Sequence, residues 1–316
     1  MHHRSIGPSC LVVALVAVGT SSPPASAGRG EQVGHHDGLR LSIAGPREAL
    51  HPGGVGVIVV TGSTALTSVQ GEVLGRPIRF WPTVSPTEWR GLVGIGLDSK
   101  SGAHQVTVQG MAGDAEASTT RLSVLVESRR FDTRRLRVDP RLAKPPEEEA
   151  VRIAEEAKAM SIAFAEVTSE RLWRGRFEAP VPGAATSSYG RLTVMNGEPG
   201  GRHQGTDFRA AVGTPVRAPN AGRVVLAKDL YFAGNTVILD HGLGVFSLVA
   251  HLSRIDVAVG ERVLRGGVLG ESGATGRVTG PHLHWAVRFG DASVDPLSLM
   301  AAVATIPDED ARPLAP

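Results

Sequence analysis

Five of the eleven histidines fall between residues 203 and 284: His203, His241, His251, His282 and His284. Asp207 follows His203 by four positions, and His282-Leu283-His284 places two imidazoles at i and i+2. In a strand those two rings point to the same face, so both can enter one pocket. A turn between His203 and Asp207 can bring a nitrogen and an oxygen to one ion. With His284 as a third ligand, one tetrahedral position stays open for water, the arrangement of a catalytic rather than a structural zinc. His251 and His282 would then stand beside that water as proton-transfer groups. Scattered surface histidines are the rival reading of each motif alone. Metal storage is a second, although it calls for more ligands and no open position.

These residues need elements to position them. Val216, Val224–Ala227, Thr236–Asp240, Val245–Ala250, Val263–Leu264 and His284–Arg288 read as strands, with glycines such as Gly205, Gly242 and Gly273 turning the chain between them. Upstream, Leu39–Ile43, Val55–Thr61, Ile78–Trp81, Leu92–Leu97, Val106–Gln109 and Leu122–Val126 are short β-like runs broken by Pro and Gly. Their regular spacing predicts an immunoglobulin-like β-sandwich. Between the two, Pro145-Pro146 and Glu147–Glu149 start a helix whose apolar stripe is Ile153, Ala157, Met160, Phe164 and Val167. It reads as a linker helix packing one domain on the other. The expected fold is therefore mainly β, in the order sandwich (36–130), linker with helix (131–176), antiparallel β domain (177–302) and flexible tail (303–316).

The residue blocks carry a family resemblance. Gly201-Arg202-His203-Gln204-Gly205-Thr206-Asp207, Gly213-Thr214-Pro215-Val216, Gly234 to Gly242, Ala250-His251-Leu252-Ser253 and Gly280-Pro281-His282-Leu283-His284-Trp285 resemble the lysostaphin/LytM class of zinc metallopeptidases in order and spacing. Val294-Asp295-Pro296 fits the same pattern. The resemblance covers about 177–300. It implies a narrow-grooved antiparallel β domain, one zinc ion, and peptidoglycan peptides as substrate. It makes His203, Asp207 and His284 the metal ligands and His251 and His282 the catalytic pair. His241 lies in a matching block without being a ligand and is expected to brace the site, with Asp240 as its hydrogen-bond partner. Two positions depart from the family pattern: Val249 stands where a tyrosine is common, and Ala286 where an acid is.

Composition fits this reading. With 33 Lys+Arg against 31 Asp+Glu, a net charge of +2 makes no electrostatic case for nucleic acid. Cys10 is the single cysteine, which excludes an intrachain disulfide and a cysteine-built zinc site. His2-His3-Arg4, an apolar run from Leu11 to Val18 and Ala25-Ser26-Ala27 read as a signal peptide over residues 1–27. No segment reaches the ~20 apolar residues of a membrane span. The protein is thus expected in the periplasm or medium, with no stable membrane insertion after cleavage, as a zinc endopeptidase acting on peptidoglycan. The alternatives are a non-catalytic wall-binding protein or activator of a partner hydrolase, and a zinc peptidase acting on ordinary proteins.

Overall fold

The computed structural model describes residues 32–36, 38–113, 117–138 and 144–307. The expected leader at 1–27 and the end of the expected tail, 308–316, lie outside the described residues.

Eight strands form the first unit: β1 (Gln32–His36), β2 (Leu39–Ala44), β3 (Val55–Gly62), β4 (Ser68–Val73), β5 (Arg76–Pro82), β6 (Glu88–Gly94), β7 (Gly102–Met111) and β8 (Ser118–Val126). They pair in one path, β1-β2-β3-β6-β5-β4-β7-β8, and β1 and β2 come back against β8. Alternation along β8, where Ser118, Thr120, Leu122, Val124 and Val126 are buried, turns one face of the sheet inward. Leu41, Ile43, Ile58, Val60, Ile95, Val106 and Val108 fill the interior. The chain is mainly β as expected, and this unit has the two-faced packing of a sandwich. Its strands nonetheless form a single near-barrel path joined through β5 instead of two separate sheets.

The second unit is a ten-stranded sheet built of β10 (Ala185–Ser187), β13 (Thr206–Phe208), β14 (Pro215–Arg217), β15 (Gly222–Leu230), β16 (Gly234–Asp240), β17 (Val245–Ile255), β18 (Arg262–Val263), β19 (Val268–Ser272), β20 (Leu283–Phe289) and β21 (Ala292–Val294). Its main path runs β10-β13-β20-β17-β16-β15-β18. A small three-stranded sheet stands beside it. There β9 (Thr133–Leu136), from the upstream segment, runs parallel to β11 (Leu192–Met195), and β11 pairs with β12 (Glu198–Arg202).

The predicted helix is α1 (Ala150–Ala165), entered through a 3₁₀ turn at Glu147–Glu149. Met160, Phe164 and Val167 of the predicted stripe pack with Leu226, Ile238 and Phe246, whereas Ala157 is exposed and Glu156 and Ala163 join the buried edge. The cause is polar. Glu156 pairs with Arg152 at 2.7 Å and accepts the backbone N–H of Tyr231 at 2.7 Å, so a carboxylate anchors the helix where an apolar side chain was expected. Phe164 meets Phe246 edge-on at 5.4 Å. A short helix, α2 (Pro296–Val303), is capped by Asp295, whose side chain accepts the Leu297 N–H.

The two units share one core. Val55, Trp81 and Leu92 of the first pack in the same cluster as Trp173, Phe177, Val245 and Val287. Trp81 and Trp173 meet edge-on at 5.1 Å, with the Arg171 guanidinium 4.8–4.9 Å from both rings. The Tyr189 hydroxyl donates to Ser293 O at 2.7 Å, and its ring lies where a Cβ on Gly53 would be. Asp295 N–H donates to Gly53 O, and Ser298 Oγ accepts from Val55 N–H. Trp81→Ala is therefore expected to cost about 3–5 kcal/mol. It should shift a single denaturant transition seen alike by fluorescence and far-UV circular dichroism. Two separated transitions would show that the units fold independently.

Candidate metal centre

Register builds the centre. Asp207 on β13 sits directly opposite His284 on β20, and His284 in turn opposes Ala250 on β17. His282 forms a bridge to Gly273 just before β20 begins, two residues from His284 and on the same face. His203, after β12, is held by paired backbone bonds, His203 N–H to Arg191 O and Gly190 N–H to His203 O.

His251 needs a different device. Alternation along β17 would send it to the opposite side from Leu248 and Ala250. Here β16 and β17 slip: Asn235 pairs with Leu252 and Val237 with Val249, so Ala250 and His251 together face Thr236. That is a β-bulge. His251 takes a left-handed backbone, φ 65°, at the bulge, and its N–H donates to Ala233 O at 2.9 Å. The ring turns onto the site face, with its centroid 4.8 Å from His282 and 6.0 Å from His284.

Three donor atoms converge. His203 Nε2, Asp207 Oδ1 and His284 Nδ1 are each 3.0 Å from the other two. His282 Nε2 stands 3.7 Å from Asp207 Oδ1. Backbone carbonyls fix three of the rings. His203 Nδ1 faces Ser188 O at 3.1 Å, His251 Nδ1 faces Thr275 O at 3.0 Å, and His282 Nδ1 faces Gly280 O at 2.9 Å. A carbonyl only accepts, so each Nδ1 carries the proton and each Nε2 is left for chemistry. In neutral His203 the Nε2 lone pair then points at a carboxylate oxygen 3.0 Å away. Two acceptors that close need a cation between them, and two imidazoles with one carboxylate suit a divalent metal such as zinc. The residues fit the ion.

Electrostatics agree. Burial opposes ionisation of Asp207, but His203 and His284, when a proton rather than a metal lies between them and the carboxylate, outweigh it by hydrogen bonds and charge and hold the carboxyl far below the usual range. Burial, then the neighbouring His284 and His282, lowers His251 to about 4, so it is neutral at pH 7. Burial likewise lowers His284.

All five sequence-selected residues meet in one groove of about 400 Å³, whereas His241 is fully buried and does not line it. The expected partner of His241 is corrected. Asp240 turns away and accepts from Gly242 N–H and Thr168 N–H. His241 instead donates from Nδ1 to Ala221 O at 2.7 Å and accepts at Nε2 from Ser247 Oγ at 2.8 Å. The same Ser247 Oγ accepts from Trp285 Nε1 at 3.2 Å, tying the chain to the residue after His284. Sequence reasoning missed Ser188, Thr275 and Gly280, because a backbone carbonyl has no residue-type signature. It missed Ser247 for want of any motif around it.

Residues 201–296 match the profile of Peptidase family M23. A crystal structure of a candidate peptidase M23 from Pseudomonas aeruginosa is 33% identical, with a TM-score of 0.61, over 81% of this chain and 96% of that one. The chain belongs to peptidase family M23. It is 48% identical over 83 residues to the peptidoglycan DD-endopeptidase ShyA of Vibrio cholerae. It is 44% identical over 99 residues to the glycyl-glycine endopeptidase ALE-1 of Staphylococcus capitis. Those matches take in 26% and 31% of this chain and 19% and 27% of the relatives' lengths, so the chain spans about a quarter or less of the curated relatives it matches.

Two outcomes follow from this geometry. A Cβ on Gly205 would lie 2.5 Å from Trp285 O and 2.6 Å from His284 Cε1. Gly205→Ala should displace the His284 ring and weaken metal binding about 10–100-fold, read by competition with a chromogenic chelator, in a chain that still folds. The second concerns His241, which burial lowers from 6.5 to about 4. The unfolded chain binds a proton on this ring near pH 6.5 and the folded chain only near pH 4. Its contribution is therefore complete above pH 6.5 and falls by about 3 kcal/mol as pH drops to 4. Urea midpoints across that window should decline more steeply in the wild type than in His241→Gln, and parallel curves would count against this.

Proposed function

We propose that the protein is an exported zinc endopeptidase that hydrolyses peptide bonds in the stem or cross-link peptides of bacterial peptidoglycan. The observation that carries the reading is the convergence of His203 Nε2, Asp207 Oδ1 and His284 Nδ1 in an open groove, with neutral His251 beside them. The similarity to the peptidoglycan DD-endopeptidase ShyA and the glycyl-glycine endopeptidase ALE-1 supports a wall peptide as substrate. The leader-like residues 1–27 support export. Among the described residues, no helix is long and apolar enough to cross a membrane.

His203, Asp207 and His284 would hold the zinc. When bound, it polarises the scissile carbonyl and makes water acidic enough to attack near neutral pH. The chain's own residues do the rest. His251 Nε2 accepts a proton as water adds to the carbonyl carbon, and the proton passes to the departing amine as the C–N bond breaks. The products are one carboxylic acid and one amine, so water is the only co-reactant. His282, whose Nδ1–H is fixed on Gly280 O, presents Nε2 to the same site beside Asp207, and in the form that carries a second proton there it donates to the oxyanion. A well-placed donor of that kind contributes about 3–4 kcal/mol to the transition state. The carbonyls of Ser188, Thr275 and Gly280 keep the rings aligned through the cycle.

The purified protein should contain about one zinc per chain by elemental analysis. It should also release fragments from purified sacculi whose masses identify the bond cut. Asp207→Ala should lose most of the zinc and the activity. His282→Ala should keep the zinc and lose about 10²–10⁴-fold in rate. Equal zinc and equal hydrolysis in both variants would refute the roles. Zinc binding without hydrolysis by the wild type would instead support the wall-binding or activator reading.

A further inference from the structure

The M23 residues do not line the groove alone. Two residues of β9, Arg134 and Leu136, alternate onto the groove, as do Arg191, Thr193 and Met195 at and before β11. The parallel register, Arg134 opposite Thr193 and Leu136 opposite Met195, puts these side chains on one face of the small sheet. The upstream segment therefore supplies part of one groove wall.

That wall is basic. Arg134 and Arg191 stand on it, and Arg277 and Arg288 also line the groove. Among the described residues the only carboxylate lining the groove is Asp207, already engaged by the histidines. A chain of net charge +2 thus concentrates four guanidiniums around one cleft, where field lines focus on an anionic ligand. Arg191 donates from one terminal nitrogen to Ser187 Oγ, and Ser187 Oγ in turn lies 3.3 Å from His203 Nδ1. Its Nε–H is buried with no acceptor among the described residues. That nitrogen is closed to solvent, so a carboxylate in the groove would meet the terminal nitrogens of the guanidinium.

We propose that Arg134 and Arg191 form a carboxylate-binding subsite that makes the protein select the acidic stem peptide of peptidoglycan over an uncharged glycine bridge. This rests on the peptidoglycan reading above. Arginine is suited to the task because its planar fork meets a carboxylate with two parallel N–H donors. Since Arg134 comes from β9, selectivity depends on the segment upstream of the M23 residues.

The test uses the full chain as wild type, Arg134→Gln and Arg191→Gln, with Arg121→Gln on β8, outside the groove, as control. The substrates are a soluble cross-linked diaminopimelate muropeptide dimer, the same dimer with its free carboxyls amidated, and a pentaglycine peptide. The wild type should cleave the acidic dimer at least tenfold more efficiently than the other two. Arg134→Gln should lose about tenfold in kcat/KM on the acidic dimer, through KM, and nothing on the amidated one, whereas Arg191→Gln, which also loses its link through Ser187 to His203, should lose more on the acidic dimer than on the amidated one. The control should match the wild type. Equal losses on acidic and amidated dimers, or no loss, would overturn the proposal. Arg134 is exposed, so its variant reports even if Arg191→Gln folds poorly. If the wild type cleaves none of the three, the peptidase reading fails separately. Calorimetric binding of the acidic stem tripeptide against its amide then decides the subsite: weakening of about tenfold in Arg134→Gln supports it, and equal affinity for acid and amide refutes it.

Discussion

One register, Asp207 opposite His284 across β13 and β20, is the constraint on which the site depends. Cross-strand neighbours have Cβ atoms about 4.5–5.5 Å apart, close enough for two short side chains to share one ion. A slip of one residue would turn His284 and its partner His282 to the far face together. Much of the surrounding structure resists that slip. Leu283, Trp285 and Val287 alternate with the site residues into the core, and Trp285 is pinned by the Ser247–His241 chain. The buried, neutral His241 thus helps hold β20 in register through Ser247 and Trp285.

The bulge on β17 is the second device, and it does what regular pairing cannot. Inserting a residue reverses the alternation locally, so Ala250 and His251 both attend the site side of the sheet. The cost is a left-handed backbone at a residue other than glycine, roughly 1–3 kcal/mol. Hydrogen bonds close around it: His251 N–H to Ala233 O, Asn235 Nδ2 to Leu252 O, and Thr275 Oγ1 to Leu252 O. These hold the ring at a fixed angle, which proton transfer needs more than proximity alone.

The sequence was most readable where residue type itself carries chemistry. His203, Asp207, His251, His282 and His284 stood out because imidazole and carboxylate have few other reasons to cluster at i, i+2 and i, i+4 spacing. The strands around them were legible from alternation, although β6 begins at Glu88, four residues before the apolar run that marked it, and β4 (Ser68–Val73) carried too few apolar residues to be seen. What stayed hidden depended on partners far along the chain. The place of Glu156 on the buried edge of α1 was set by its meeting Tyr231, and the role of β9 by its parallel pairing with β11 some sixty residues on. The partner of His241 was a serine six residues away instead of its acidic neighbour, because successive strand residues face opposite sides.

The shared core gives the first unit a structural part in the M23 domain. Val55, Trp81 and Leu92 cover the back of the M23 sheet, while β9 and α1 reach around to its groove. The account's central claim, that His203, Asp207 and His284 together hold one metal, is tested most directly by X-ray absorption at the zinc edge. The zinc-loaded wild type should show two imidazole nitrogens and oxygen ligands at about 2.0–2.1 Å, and His284→Ala a single imidazole. Two imidazoles persisting in that variant would contradict the assignment.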